Sequence, residues 1–201
     1  MYRYAEGSGS AALFGQILDL DILSATELIC TDYGNKCLRL VNLPQSSAVT
    51  STFAGKCGES GTAGGSRLST ARFSYPEYTE VNNNRTSLFV LESSVTLRVI
   101  DLRSDDVTTI FTFSNYGWGI NLVGDSLIYL LTHHKVTVFN LDTKEERDVA
   151  GAGNEGNAVG SFEQTRFDTP DGFLEWRNGQ EVLLFVADKE NNRFVKFHYG
   201  L

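Results

Sequence analysis

A glycine-rich stretch ending in Arg-Phe-x-x-Pro occurs twice in this chain, and that duplication constrains the fold more than any other feature. The first copy runs from Phe53-Ala-Gly-Lys-Cys57 to Ala71-Arg-Phe-Ser-Tyr-Pro76; the second runs from Val149-Ala-Gly151 to Thr165-Arg-Phe-Asp-Thr-Pro170. Arg72 and Arg166 stand 94 residues apart, as do Pro76 and Pro170, whereas Gly55 and Gly151 are 96 apart, as are Phe89 and Phe185. A fixed internal period of this kind marks a unit that cannot bury its own faces and needs neighbouring copies to do so.

Between the linkers the apolar pattern is that of short strands. Unit one offers Leu18–Leu23, Glu27–Thr31, Lys36–Asn42 and Val49–Phe53, with a hairpin at Asp32-Tyr-Gly-Asn35 and a turn at Pro44. Unit two offers Tyr78–Val81, Ser87–Leu91, Val95–Leu102 and Val107–Phe113; its Val95-Thr-Leu-Arg-Val99 alternates strictly, as a half-buried strand does. Unit three offers Gly119–Leu122, Ser126–Leu131, Lys135–Leu141 and Arg147–Ala150, and unit four Phe173–Trp176, Glu181–Ala187 and Arg193–Tyr199. No helical period is sustained. The expected class is all-β: a β-propeller of four-stranded antiparallel blades, about four of them, within one domain spanning 1–201. The unit boundaries are 15–76, 77–117, 118–170 and 171–201, with 1–14 as a partial linker. Trp118 and Trp176 are expected to fill layers between blades.

Charge and hydropathy narrow the setting. The formal charge is −8 and no Lys/Arg cluster is visible, which argues against nucleic acid as a partner. No apolar run is long enough for a membrane helix, and Met1–Gly7 lacks the plan of a secretory signal. The chain begins and stops within a repeat, so a piece of a larger protein is as good a reading as a complete one.

Several residue groups invite chemistry. Hairpin geometry around Pro44–Ala48 puts Cys37 within a few residues of Cys57, compatible with a disulfide, but Cys30, expected to face Cys37 across the other hairpin, is a rival partner. His133 and His134 are adjacent, so a strand would point them to opposite faces; a hairpin turn suits them better than a shared metal. Arg72 and Arg166 recur at one place in the repeat, as a structural salt bridge or a cation stacked on the adjacent Phe would. Asp168 and Asp171 flank Pro170 and are weak calcium candidates. The glycine linkers lack the Gly-Lys-Ser/Thr ending of a phosphate loop. Asn84-Arg-Thr86 is a glycosylation sequon on an expected turn.

The pattern Ala-Gly-x-x-Gly-x-x-Gly…Arg-Phe-x-x-Pro, then a strand, then Asp-x-x-Asn, resembles the NHL-repeat β-propellers over essentially the whole chain. The Asp-x-x-Asn element is clearest at Asp32…Asn35 and Asp188…Asn191, where we expect the side chains to hydrogen-bond the turn backbone. It is replaced by Glu92-Ser-Ser-Val in unit two and by Thr132-His-His-Lys in unit three. NHL propellers generally have six blades, so the resemblance implies part of a larger propeller with open edges. The alternative is a small ring closed by Tyr2–Ala5. The resemblance to extracellular invertebrate NHL-like proteins, on Asn35-Lys-Cys-Leu-Arg39 and Ala54-Gly-Lys-Cys-Gly58, implies a Cys37–Cys57 bridge. The amidating lyases use a related propeller with a histidine-bound metal, but the three histidines here do not match such a set.

The expected function is a non-enzymatic interaction module for another protein or a glycan, in an extracellular or cell-surface setting. No catalytic residues, metal ligands or cofactors are expected, and self-association through open sheet edges is. The alternatives are a metal-dependent lyase or lactonase with its site on the propeller axis, and a cytoplasmic scaffold.

Overall fold

In the computed structural model, residues 3–43, 47–151, 153–161, 164–179 and 181–199 are described. The turn expected at Pro44, and Tyr2 of the expected closing strand, lie outside them. The chain divides into two compact units, Met1–Thr112 and Phe113–Leu201. Each unit contains two antiparallel sheets, and the fold class is that of β-propeller blades.

The first unit begins with β1 (Gly7–Ser8), β2 (Ile17–Ser24), β3 (Glu27–Asp32), β4 (Cys37–Asn42) and β5 (Val49–Ala54), ordered β1-β5-β4-β3-β2 as blade 1. Blade 2 follows as β6 (Gly65–Ser66), β7 (Pro76–Val81), β8 (Ser87–Glu92), β9 (Thr96–Asp101) and β10 (Asp106–Thr112), ordered β6-β10-β9-β8-β7. Both blades therefore carry a fifth, two-residue strand that hydropathy could not reveal, because the linker glycines supply backbone pairing and no side-chain signal. In the second unit, blade 3 is β11 (Gly117–Val123), β12 (Leu127–Thr132), β13 (Val136–Asn140) and β14 (Glu146–Ala150), in sequential order. Blade 4 is β15 (Pro170–Asn178), β16 (Glu181–Asp188) and β17 (Arg193–Tyr199), three strands among the described residues. Ala5 forms a bridge with Leu13 of its own linker.

Alternation within each strand creates the cores. In unit 1, Ile29, Leu38 and Phe53 of blade 1 pack on Leu88, Val90, Ile100 and Val107 of blade 2, with Phe73 of the linker between them. In unit 2, Tyr129, Leu131, Val136 and Val138 of blade 3 pack on Leu184, Val186, Val195 and Phe197 of blade 4, again with a linker phenylalanine, Phe167. The linker Arg-Phe pairs therefore contribute their rings to the layer between blades. The tryptophans do not: Trp118 and Trp176 are 39% and 43% exposed. The inter-blade space is already filled by phenylalanines of the linkers and outer strands.

Candidate functional site

At one end of blades 1, 2 and 4 a buried acid and an arginine, buried in blades 1 and 2 and half-buried in blade 4, fasten the long linker that enters the blade. In blade 1, Asp32 closes β3 and accepts the Gly15 N–H at 3.0 Å. Arg39 on β4 lies 3.3 Å from the Asp32 carboxylate and donates to the Leu13 and Ala5 carbonyls. Blade 2 repeats this with Glu92, which accepts the Ser74 N–H, and Arg98, which donates to the Arg72 and Ala63 carbonyls. Blade 4 repeats it with Asp188, which accepts the Asp168 N–H at 2.7 Å, and Arg193, which reaches the Asn157 and Arg166 carbonyls.

In each case the carboxylate holds the N–H of the residue after the linker ring position (Phe14, Phe73, Phe167), and the guanidinium holds the carbonyl of the residue before it. The Arg39 and Arg98 guanidiniums also sit 5.2 and 4.7 Å from the Phe14 and Phe73 rings. The charges are affordable in a dry interior because nearly every polar atom finds a partner.

The Asp-x-x-Asn residues belong to this clasp. Asn35 donates to Asp32 Oδ2 at 2.9 Å and to the Arg3 carbonyl. Asn191 donates to Asp188 Oδ2 at 2.9 Å and to the Gly156 carbonyl. Blade 2 reaches the same end with a different turn. Ser93 and Ser94 both have positive φ in a three-residue turn, one residue shorter than the turns of blades 1 and 4, which leaves no place for the Asn. The extra methylene of Glu92 keeps the carboxylate on the linker. Of the two roles expected for the linker arginines, Arg72 takes the salt bridge, with Glu59 on the surface at 3.2 Å, whereas the cation over Phe73 is Arg98.

The arginines escape a motif search because their distance from the acid varies. Arg193 stands opposite Asp188, whereas Asp32 is opposite Cys37 and Glu92 opposite Thr96. Arg39 and Arg98 therefore lie two residues further along, on the same face of the sheet. The position opposite Asp32 is taken by Cys37, which is bonded to Cys57 with a Cα–Cα separation of 5.0 Å. The linker that leaves blade 1 is thus held at its start, where Gly58 N–H also donates to the Asn35 carbonyl. Cys30 is opposite Arg39, not Cys37, so the rival pairing fails on register. It is a free, buried thiol, pushed up to about 11 by burial and then by the Asp32 charge.

Among the described residues, blade 3 has no such clasp. Its entering connection, 113–116, is four residues long, against 55–75 and 151–169 for the glycine-rich linkers, so there is little backbone to fasten. Ser114 is held instead by the Glu146 carboxylate of β14. Where the clasp and long linker would lie, blade 3 leaves a hollow of about 330 Å³ lined by Ser114, Asn115, Tyr116, His133, His134 and Lys135, with Thr132 and Gly153. Such a volume suits a small ligand or the tip of a larger one.

His133 and His134 form the turn between β12 and β13. The His133 ring lies 4.9 Å from Trp118, edge to face. His134 Nδ1 is buried and has no hydrogen-bond partner among the described residues. Lys135 is paired with Asp148 at 2.5 Å. Behind this turn the next linker approaches so closely that a side chain at Gly151, which has φ +92, would strike the His134 carbonyl.

Asp168 and Asp171 do not converge. The Asp168 N–H serves the blade 4 clasp, while Asp171 is an exposed partner of Lys189 at 3.8 Å. Among the described residues no three His, Cys, Asp or Glu side chains gather as metal ligands would. No helix is long and apolar enough to cross a membrane.

No family model matches the chain. NHL repeat-containing protein 2 of Bos taurus is 33% identical over 132 residues, which is 53% of this chain and 18% of that protein. The repeat is thus similar to that of an NHL protein over about half of this chain. The solved structure of an auxiliary nutrient binding protein from Bacteroides ovatus superposes with a TM-score of 0.70 at 11% identity, over 92% of this chain and 45% of that one. One from Bacteroides thetaiotaomicron gives 0.56 at 12%, over 98% and 58%. A Bacteroides uniformis protein provisionally named a 6-phosphogluconolactonase gives 0.53 at 11%, over 91% and 54%. At these identities the likeness to solved structures carries the fold alone. The chain thus spans 18% of that curated relative and about half of the propellers it resembles.

Proposed function

We propose that this chain is a non-enzymatic binding module of NHL-like blades that takes a protein loop or a glycan at the blade 3 hollow. The observation that carries this reading is the break in the repeat. Three blades spend this end on fastening a linker, and the fourth presents Tyr116, His133, His134 and Lys135 around an open hollow instead. Aromatic and imidazole groups with one ammonium and amide or hydroxyl neighbours suit a polar ligand that also offers a flat or apolar face. The carboxylates that elsewhere invite an acid–base role, Asp32, Glu92 and Asp188, are saturated by arginine and backbone N–H groups, which supports binding over catalysis.

The Cys37–Cys57 bond favours an oxidising, extracellular or cell-surface setting. Asn84 is exposed on the turn between β7 and β8, ordered by Asn82 donating to and accepting from Thr86, and there it is open to glycosylation. The test is retention on glycan and ectodomain arrays by disulfide-intact protein. Tyr116→Ala and His133→Ala should each weaken the captured interaction by about tenfold or more. Binding indifferent to both variants would remove the hollow from the account, and metal-stimulated turnover of a lactone would remove the non-enzymatic reading.

A further inference from the structure

In each unit one blade face is covered by the next blade, and each unit also shows a like face left open. On blade 3 the residues facing blade 4 are Tyr129 and Leu131. Counted from the end of the strand, the equivalents on blade 4 are Phe185 and Ala187, and they face away from the core that Leu184 and Val186 join. Beside them on that face stand Leu174, opposite Phe185, and Phe194, opposite Ala187. Leu174 is 58% and Phe194 80% exposed, and Trp176 lies on the same face. A phenylalanine that bare at an inter-blade position is not ordinary surface.

Blade 1 has the opposite opening. Its face towards blade 2 carries Ile29; the other carries Leu20, opposite Cys30, and Ile22, opposite Leu28. Leu20 and Ile22 are 56% and 59% exposed. The two open faces also match in polarity. At the junction of blades 1 and 2, Asp21 of β2 accepts the Val81 N–H, and Thr79 and Val81 stand where Leu20 and Ile22 stand on blade 1. On the open faces those polar places are taken by Leu174 on one side and Leu20 on the other. Each is apolar where the internal junction is polar.

We propose that the open face of blade 4 in one copy of this chain docks on the open face of blade 1 in a second copy. The contact is head-to-tail, the same kind that joins blades 1 and 2 and blades 3 and 4 within the chain. Two copies bring eight blades together, inside the range of about four to eight found in propellers. A heterologous contact of this kind uses different patches on the two partners, and that gives a discriminating test.

Sedimentation velocity of the disulfide-intact protein, at increasing concentration up to about 0.1 mM, should show association. In a Trp118→Phe background the Trp176 emission should move to the blue as it forms. Phe194→Glu and Ile22→Glu each replace an exposed side chain, so both variants should remain folded by circular dichroism. Each should weaken self-association by about 30-fold or more. An equimolar mixture of the two should associate again, because each variant keeps the face that the other has lost. A chain that stays monomeric throughout overturns the proposal. So does association that ignores both variants, or a mixture that fails to recover, which would indicate a face-to-face contact. Ligand capture by the blade 3 hollow is measured separately and does not depend on the outcome.

Discussion

Replacing Arg98 by methionine tests whether the clasp, rather than the linker motif itself, holds a blade to its neighbour. Arg98 is fully buried and Glu92 nearly so, with 3.1 Å between guanidinium and carboxylate. Methionine fills much of the volume but leaves Glu92 with the Ser74 N–H alone and the Arg72 carbonyl without its donor, while the Ala63 carbonyl keeps the Arg72 N–H. Removing one member of a buried ion pair costs about 3–5 kcal/mol, a range to which the stranded Arg72 carbonyl contributes about 1 kcal/mol or more. We expect a loss of about 4 kcal/mol, a large share of the ~5–15 kcal/mol available to a domain. Adding Glu92→Gln, which keeps an acceptor for Ser74 without the charge, should recover about 2 kcal/mol.

The control is Arg72→Ala. This is the arginine the repeated motif advertises, yet it pairs with half-exposed Glu59, so its loss should cost under about 1 kcal/mol. Tryptophan fluorescence cannot serve as the readout, since Trp118 and Trp176 both belong to residues 113–201. Hydrogen exchange of peptides covering 61–74 and 88–100, across a urea series, reports on the right unit. An Arg98→Met deficit below about 1 kcal/mol, or an Arg72→Ala deficit as large, would refute the reasoning.

Four further outcomes follow from the same structure. Reducing Cys37–Cys57, which closes a separation of 20 residues, should lower unfolding stability by about 3 kcal/mol in the chain-entropy model, read from urea midpoints with and without reductant. Cys30 should stay unalkylated until the chain unfolds. Burial holds Asp19, Asp21 and Glu77 above the usual carboxylate range, against hydrogen bonds from Thr79, Val81 and Ser94. The native state therefore binds protons more tightly than the unfolded chain does. That contribution is complete below the ordinary carboxylate values and is lost as pH rises through the raised ones. Asp19→Asn keeps an acceptor for the Thr79 N–H, so it should flatten this dependence above about pH 4, the ordinary Asp value, without loss of stability at neutral pH; a steeper slope would contradict it. Gly151→Ala combines a positive φ with a clash on the His134 carbonyl, and should cost about 2 kcal/mol or more and disturb the blade 3 hollow, seen as a changed Trp118 emission.

Strand placement and blade class were written in the linear pattern. Period-2 alternation and turn formers act over neighbouring residues, so β3, β4, β8 and β17 can be found to within a residue or two. The linkers could be found for the same reason: glycines and Arg-Phe-x-x-Pro recur at a fixed offset. The Asp32 and Asn35 pair was legible because an Asx turn is local. What the chain could not disclose is the partner of each acid. Arg39, Arg98 and Arg193 sit at three different offsets from it, and only the shared face of the sheet, a property of register, makes them equivalent. Cys30 was misplaced by the same uncertainty, since a two-residue shift in the hairpin decides whether it meets Cys37 or Arg39. The glycine pairs Gly7–Ser8 and Gly65–Ser66 carry no side-chain signal and were visible only once strands existed for them to pair with. The hollow in blade 3 and the bare Phe194 are products of packing. They arise from what neighbouring segments fail to cover, and coverage is settled by the tertiary structure, after every local preference has been met.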